Sequence, residues 1–140
     1  MSSKFTKDNS DYLKFVKRQI HLIDKMDADE KIDYYANLTR CFLLSDMDLA
    51  LYYKLANFIS ICIPEELFYI QNFDYDKKAG LNTMISSLYH YGLFDQIECE
   101  QGGANYVLSD FAKALKSSSL NFDEGFYTEK RILTYNDISH

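Results

Sequence analysis

The side chains best suited to chemistry are few and scattered. His21, His90 and His140 form no i, i+4 pair, and Cys41, Cys62 and Cys99 include no Cys-x-x-Cys. Neither of the short spacings that build a zinc site on one local element is present. Asp27-Ala28-Asp29-Glu30-Lys31-Ile32 opens like a calcium loop. It has Lys where an oxygen ligand belongs and Ile where the sharp turn demands Gly, so it reads as a helix start with acids near the positive end of the dipole. Gly102-Gly103 has no following Lys-Ser/Thr and is a turn, not a phosphate loop. There is no Gly-x-Ser-x-Gly nucleophile elbow. The acid pairs Glu65–Glu66 and Asp74/Asp76 fit a helix start and a loop better than a catalytic dyad. Cys41 lies in Arg40-Cys41-Phe42-Leu43-Leu44, an apolar setting that raises a thiol pKa and marks core. With no nucleophile–base arrangement to name, the expectation is a protein that is not an enzyme and carries no cofactor or metal.

The elements that must position these residues follow from periodicity. The 140 residues are 47% hydrophobic and 26% charged, which suits a single domain, 1–140, with a buried core. One Pro and 5 Gly argue for long helices over a many-stranded sandwich. A first helix is predicted from Ser10 to about Met26, with Tyr12, Phe15, Val16, Gln19, Ile20 and Ile23 on one face. A second runs from about Glu30 to Leu44 on Ile32, Tyr35, Leu38, Cys41 and Phe42. Ser45-Asp46-Met47-Asp48 has the spacing of a capping box and starts a third helix to about Cys62. Pro64 suits the first position of a short fourth helix ending near Phe73. A fifth is predicted over Ala79–Tyr91, on Leu81, Met84, Ile85, Leu88 and Tyr89, with Gly92 ending it. Leu93–Glu100 and Asn105–Leu108 read as strands joined through Gly102-Gly103, a hairpin signal. Ser109-Asp110 caps a last helix to about Lys116, and Ser117-Ser118-Ser119 reads as a linker. The fold class is mainly α, a helical bundle with one two-stranded β-hairpin. It divides into a helical part (1–62), a second part (63–118) and an apolar C-terminal arm (119–140). Phe122, Phe126, Tyr127, Ile132 and Leu133 make that arm a candidate either for homodimer formation or for covering the domain's own core.

Two segments carry a likeness to a known module. Leu88-Tyr89-His90-Tyr91-Gly92-Leu93-Phe94, and Tyr106-Val107-Leu108-Ser109-Asp110-Phe111-Ala112-Lys113-Ala114-Leu115 beyond the hairpin, resemble the end of a winged-helix unit of the MarR and PadR kind. Ser109 stands where Thr is usual there, and Ala112 where Gly is usual. With the helices from Ser45 onward the resemblance covers about half the chain. It implies a winged-helix unit in which the hairpin is the wing, the helix before it faces the DNA major groove, and the first helix and the apolar tail, Phe122 to Tyr135, flank the module as dimer-forming helices. By position the solvent face of that helix is Asn82, Thr83, Ser86, Ser87 and His90, with Lys77 and Lys78 at its start. Such side chains can bond base edges or phosphates. Residues from about Asp29 to Phe73 also resemble helical segments of uncharacterised bacterial proteins of the abortive-infection-alpha group, which implies a phage or bacterial defence context.

Charge weighs against a nucleic-acid partner. Residues 1–62 carry nine basic and nine acidic side chains; residues 63–140 carry six and twelve, so the whole net charge of −6 lies in the second half. The predicted groove-facing set has no Arg, and Glu98 and Glu100 stand on the wing where the resembling regulators commonly have Lys or Arg. An acidic wing repels the phosphate backbone. The leading expectation is therefore an interaction module that meets a protein partner through an acidic surface. The alternatives are a dimeric DNA-binding transcriptional regulator and an acidic nucleic-acid-mimic inhibitor. The N-terminal stretch has no apolar signal core, and no segment reaches the ~20 apolar residues a bilayer span needs, so no membrane role is expected. An odd number of cysteines, two of them in apolar runs, suits the reducing cytoplasm.

Overall fold

The computed structural model describes residues 9–98 and 103–123. Among them the chain runs α1 Asn9–Asp24, α2 Asp29–Leu44, α3 Leu49–Ile61, α4 Pro64–Gln71, α5 Thr83–His90, β1 Phe94–Glu98, β2 Ala104–Leu108 and α6 Asp110–Leu115, closed by a π-helical turn Lys116–Leu120. The protein is mainly helical, with one antiparallel hairpin in which Phe94 faces Leu108 and Glu98 faces Ala104.

An aromatic cluster joins the first three helices. The Tyr52 ring of α3 stacks on Phe42 of α2 at 4.6 Å, and Phe15 of α1 packs against both at 5.9 Å. The Tyr52 hydroxyl is the centre of a polar knot. It donates to Gln19 Oε1 at 2.8 Å, and Tyr35 Oη and Thr39 Oγ1 lie at 3.0 and 2.8 Å. Buried hydroxyls need such partners, and this set fixes how α1, α2 and α3 meet. A second cluster, Tyr69, Phe73 and Phe94, holds α4 against the hairpin.

Two buried lysines close helix ends. Lys31 donates to the Ser60 carbonyl at the end of α3 at 3.2 Å and pairs with Asp27 at 3.1 Å. Lys116 donates to the carbonyls of Ile70 and Gln71, both at 3.0 Å, and to that of Phe73. The last carbonyls of α4 have no partner within the helix, and an ammonium there also complements the dipole.

Several expectations need correction. Ser117-Ser118-Ser119 is no linker: the turn that holds it is packed, and Ser119 is fully buried. Ser119 Oγ donates to the Tyr34 carbonyl at 2.7 Å, Asn37 Nδ2 donates to the Ser119 carbonyl, and Gln71 Nε2 donates to that of Leu120. Serine is short enough to bring this turn against α2, so residues 119 and 120 belong to the core and not to an arm. The third helix starts on Asp48, which accepts from Leu51 N at 2.7 Å; Ser45 Oγ instead accepts from Met47 N. Ala28, with no capping side chain, precedes α2. On α1 the core takes Phe15 and Leu22, joined by Met26 just after the helix, while Tyr12, Ile20 and Ile23 are exposed; Ile32 of α2 is exposed as well. Phe122 is half-buried. Phe126, Tyr127, Ile132, Leu133 and Glu100 lie outside the described residues.

Candidate functional site

The fifth helix is shorter than its apolar period predicts. Ala79 does not join it. Its N–H donates to the Tyr106 carbonyl at 3.1 Å and its carbonyl accepts from Tyr106 N at 2.8 Å, an antiparallel bridge on the outer side of β2. The chain then turns, and α5 begins at Thr83 with Asn82 as its cap. Asn82 Oδ1 accepts from Ile85 N at 2.7 Å. Ile85 and Leu88 are fully buried and hold α5 in the core. At the other end Gly92 takes φ +82°, a conformation open to glycine without strain. Leu93 N then reaches back to the Leu88 carbonyl at 3.0 Å, which sends the chain directly into β1.

This arrangement leaves one face of α5 free, and a shallow depression of about 570 Å³, widely open to solvent, lies on it. Its lining is Leu81, Asn82, Thr83, Ser86, Ser87 and His90. Asn82, Ser86, Ser87 and His90 are thus brought together as their spacing predicts. Lys77 and Lys78 are not in the lining. They are exposed in the connection before Ala79, and the Lys77 ammonium lies over the Phe73 ring at 5.0 Å from its centre. The bridge at Ala79 turns the chain between these lysines and the helix. Leu81 and Tyr89 of the predicted apolar stripe are both exposed, Leu81 the more so. Leu81 sits at the right period for the buried stripe, but α5 starts after it, and it is 62% exposed.

Two of the polar groups are committed to the fold. Besides capping α5, the Asn82 amide donates to Tyr69 Oη at 3.2 Å. Ser87 Oγ donates to Glu66 Oε2 at 3.1 Å, while Glu66 Oε1 accepts from Ile63 N at 3.0 Å to start α4. Glu66 is buried, and these two bonds satisfy its carboxylate. Ser86 is half-buried, and His90 is exposed with its ring edge-on to Tyr89. The lining contains no Lys or Arg. Around it, Leu81, Tyr89 and Tyr91 present large apolar surface, the two tyrosines 42% and 49% exposed. Tyr89 is braced edge-to-face on Tyr106 and Tyr91 on Phe58, both at under 6 Å. Asp95, Gln96 and Glu98 of β1 are exposed. Over residues 72–98 the charged side chains are Asp74, Asp76, Asp95 and Glu98 against Lys77 and Lys78, a local excess of two negative charges.

Cys41 and Cys62 are buried, and burial pushes the Cys62 thiol up to about 12, far from a nucleophilic thiolate. Among the described residues no group of three or more His, Cys, Asp or Glu is arranged to hold a metal ion, and no helix is long and apolar enough to cross a membrane. No protein-family model, curated protein or solved structure matches this chain.

Proposed function

We propose that the protein is a non-enzymatic interaction module that binds a protein partner through the exposed face of α5 and the adjoining hairpin. The observation that carries this reading is the composition of that face. It joins braced, exposed aromatic rings and Leu81 to a few uncharged polar groups, under a negative local charge. Aromatic anchors surrounded by a polar rim are the usual anatomy of protein–protein interfaces. A duplex-reading helix needs the opposite: free amides or guanidinium groups and a positive field. Here the Asn82 amide and the Ser87 hydroxyl already serve the fold. The order of three helices, hairpin and helix from α3 to α6 supports a winged-helix reading of this half, a fold that does not by itself specify DNA. Buried, reduced cysteines support a cytoplasmic setting.

One observation favours a second reading, a DNA-binding regulator: Lys77 and Lys78 are exposed just before α5. A single pair of measurements separates the two. Fluorescence anisotropy with a mixed-sequence duplex, from low to physiological salt, is expected to show no binding. A photo-crosslinker at His90 is expected to capture a protein from the source cells, and Leu81→Asp is expected to abolish that capture. Duplex binding that weakens linearly in log salt, and is lost on Lys77→Ala/Lys78→Ala, would replace the first reading by the second.

A further inference from the structure

The hairpin has two edges, and the fold covers one of them. Ala79 bonds both ways to Tyr106 on the outer side of β2, at 3.1 and 2.8 Å. Those bonds turn the Tyr106 N–H and carbonyl away from β1. Gln96 of β1 is the residue opposite Tyr106. In an antiparallel pair, residues directly opposite either exchange both their bonds or turn both away. The Gln96 N–H and carbonyl therefore point outward, and Asp95 and Ile97 supply the ladder bonds of β1. The bond from Ser109 N to the Leu93 carbonyl, at 3.0 Å, fixes the same phase. Among the described residues no hydrogen bond reaches the outward groups of Gln96. Asp95, Gln96 and Glu98 are exposed along this strand, and Ile97 is half-buried.

We infer that the outer edge of β1 takes up an extended, basic segment of the protein partner as an added strand. The inference rests on the reading above, in which the hairpin is part of the partner-binding face, and names how the hairpin contributes. Main-chain bonds at Gln96 supply the pairing, and charge chooses the occupant. Residues 93–108 include Asp95, Glu98 and Glu100 and no Lys or Arg. Charge on an edge strand keeps unwanted strands away. Here it is all of one sign. A second copy of the chain would bring carboxylates to carboxylates, which destabilises a strand pair, whereas Lys or Arg on an incoming strand meets them as opposite charges. The strand is five residues long, so the added strand is short and its binding weak and reversible.

Amide exchange and chemical shifts of the full chain, followed by NMR, test this. In the free protein the Gln96 N–H is expected to exchange like an unstructured amide, and those of Asp95 and Ile97 about tenfold more slowly or slower still. The probe is a blocked peptide of about seven residues in which Val alternates with Lys, titrated to about 1 mM. It is expected to bind, shifting the β1 amides, and to slow exchange at Gln96. The same peptide with Glu in place of Lys is expected to bind about tenfold more weakly or worse. Gln96→Pro removes the outward donor but none of the ladder bonds, a position where an edge strand tolerates proline, and is expected to abolish binding with the circular dichroism retained. Asp95→Lys/Glu98→Lys keeps the backbone intact and is expected to reverse the preference between the two peptides. No binding of the Lys peptide up to 1 mM overturns the proposal, and so does binding that survives Gln96→Pro or ignores the charge reversal. Gln96 protected without peptide means that a second copy or residues 124–140 hold the edge, which overturns it too. Capture from His90 reports on the α5 face separately. Capture without peptide binding removes the added strand and leaves the α5 reading standing; peptide binding without capture does the reverse.

Discussion

Replacing Lys116 by Met is the sharpest test of how the second half of the fold is held. Methionine keeps the length and most of the apolar stem of lysine but removes all three donors. The ammonium binds the carbonyls of Ile70, Gln71 and Phe73, in a side chain 3% exposed. Losing each of these three charge-assisted bonds costs about 1 kcal/mol, although the Ile70 and Gln71 carbonyls keep Phe73 N and Asn121 Nδ2 as donors, and losing a cation at the end of α4 adds about 0.5–1 kcal/mol. About 1 kcal/mol returns, because the variant no longer has to desolvate a charge. Burial does disfavour the charged form here, holding the Lys116 pKa below the usual lysine range against the opposing pull of Asp74. The net expectation is a loss of about 3 kcal/mol. For a domain of this size that lowers the urea midpoint by about 2 M at a slope near 1.5 kcal/mol per M, and the melting temperature by about 12 °C. Urea unfolding followed by tyrosine fluorescence and circular dichroism measures it. A loss under 1 kcal/mol with an unchanged slope would refute the argument that Lys116 is the cap of α4.

Other outcomes follow from the same geometry. The folded Lys116 sheds its proton before the unfolded one, so its contribution rises as pH climbs from the folded pKa toward 10.5; Lys116→Met is expected to flatten that alkaline rise in melting temperature. Asp27 behaves with the usual carboxylate sign: its bond to Lys31 lowers its pKa, so the associated stability is present above pH 3.8 and lost as pH falls through the lower folded value. Lys31→Met is expected to reduce the acid sensitivity of the melting temperature in that window. Tyr52→Phe keeps the stack on Phe42 but removes the hydroxyl shared by Gln19, Tyr35 and Thr39, and is expected to cost about 2 kcal/mol by denaturant titration. Cys62 is expected to resist thiol reagents at pH 8 until the protein unfolds, which timed labelling with and without urea checks.

Most of the candidate site could be read from the chain. The spacing of Asn82, Thr83, Ser86, Ser87 and His90 placed them on one side of a helix, and they line one depression. Two things could not be read. Leu81 has the period of a core residue, and only the bridge from Ala79 to Tyr106 explains why the helix starts beyond it. The commitment of Ser87 to Glu66 depends on α4 and α5 meeting, 21 residues apart in sequence. Without that contact, Ser87 looks like a free hydroxyl.

The sequence by itself determined what local free energy determines. Apolar residues at a 3.6 period, Pro64 at a first helical position, Ser109 as a cap and Gly102-Gly103 between two short runs each act within a few residues, and the helices and hairpin stand where these signals lie. The tertiary structure decided what depends on which surfaces meet. α1 has a wide apolar arc, and the positions of α2 and α3 choose Phe15 and Leu22 for the core over Ile20 and Ile23. Lys31, Lys116 and Ser119 look like solvated polar residues in the chain. They are buried because the fold brings distant acceptors to them: the carbonyls of Ser60, Phe73 and Tyr34 accept from these three side chains across 29, 43 and 85 residues of sequence.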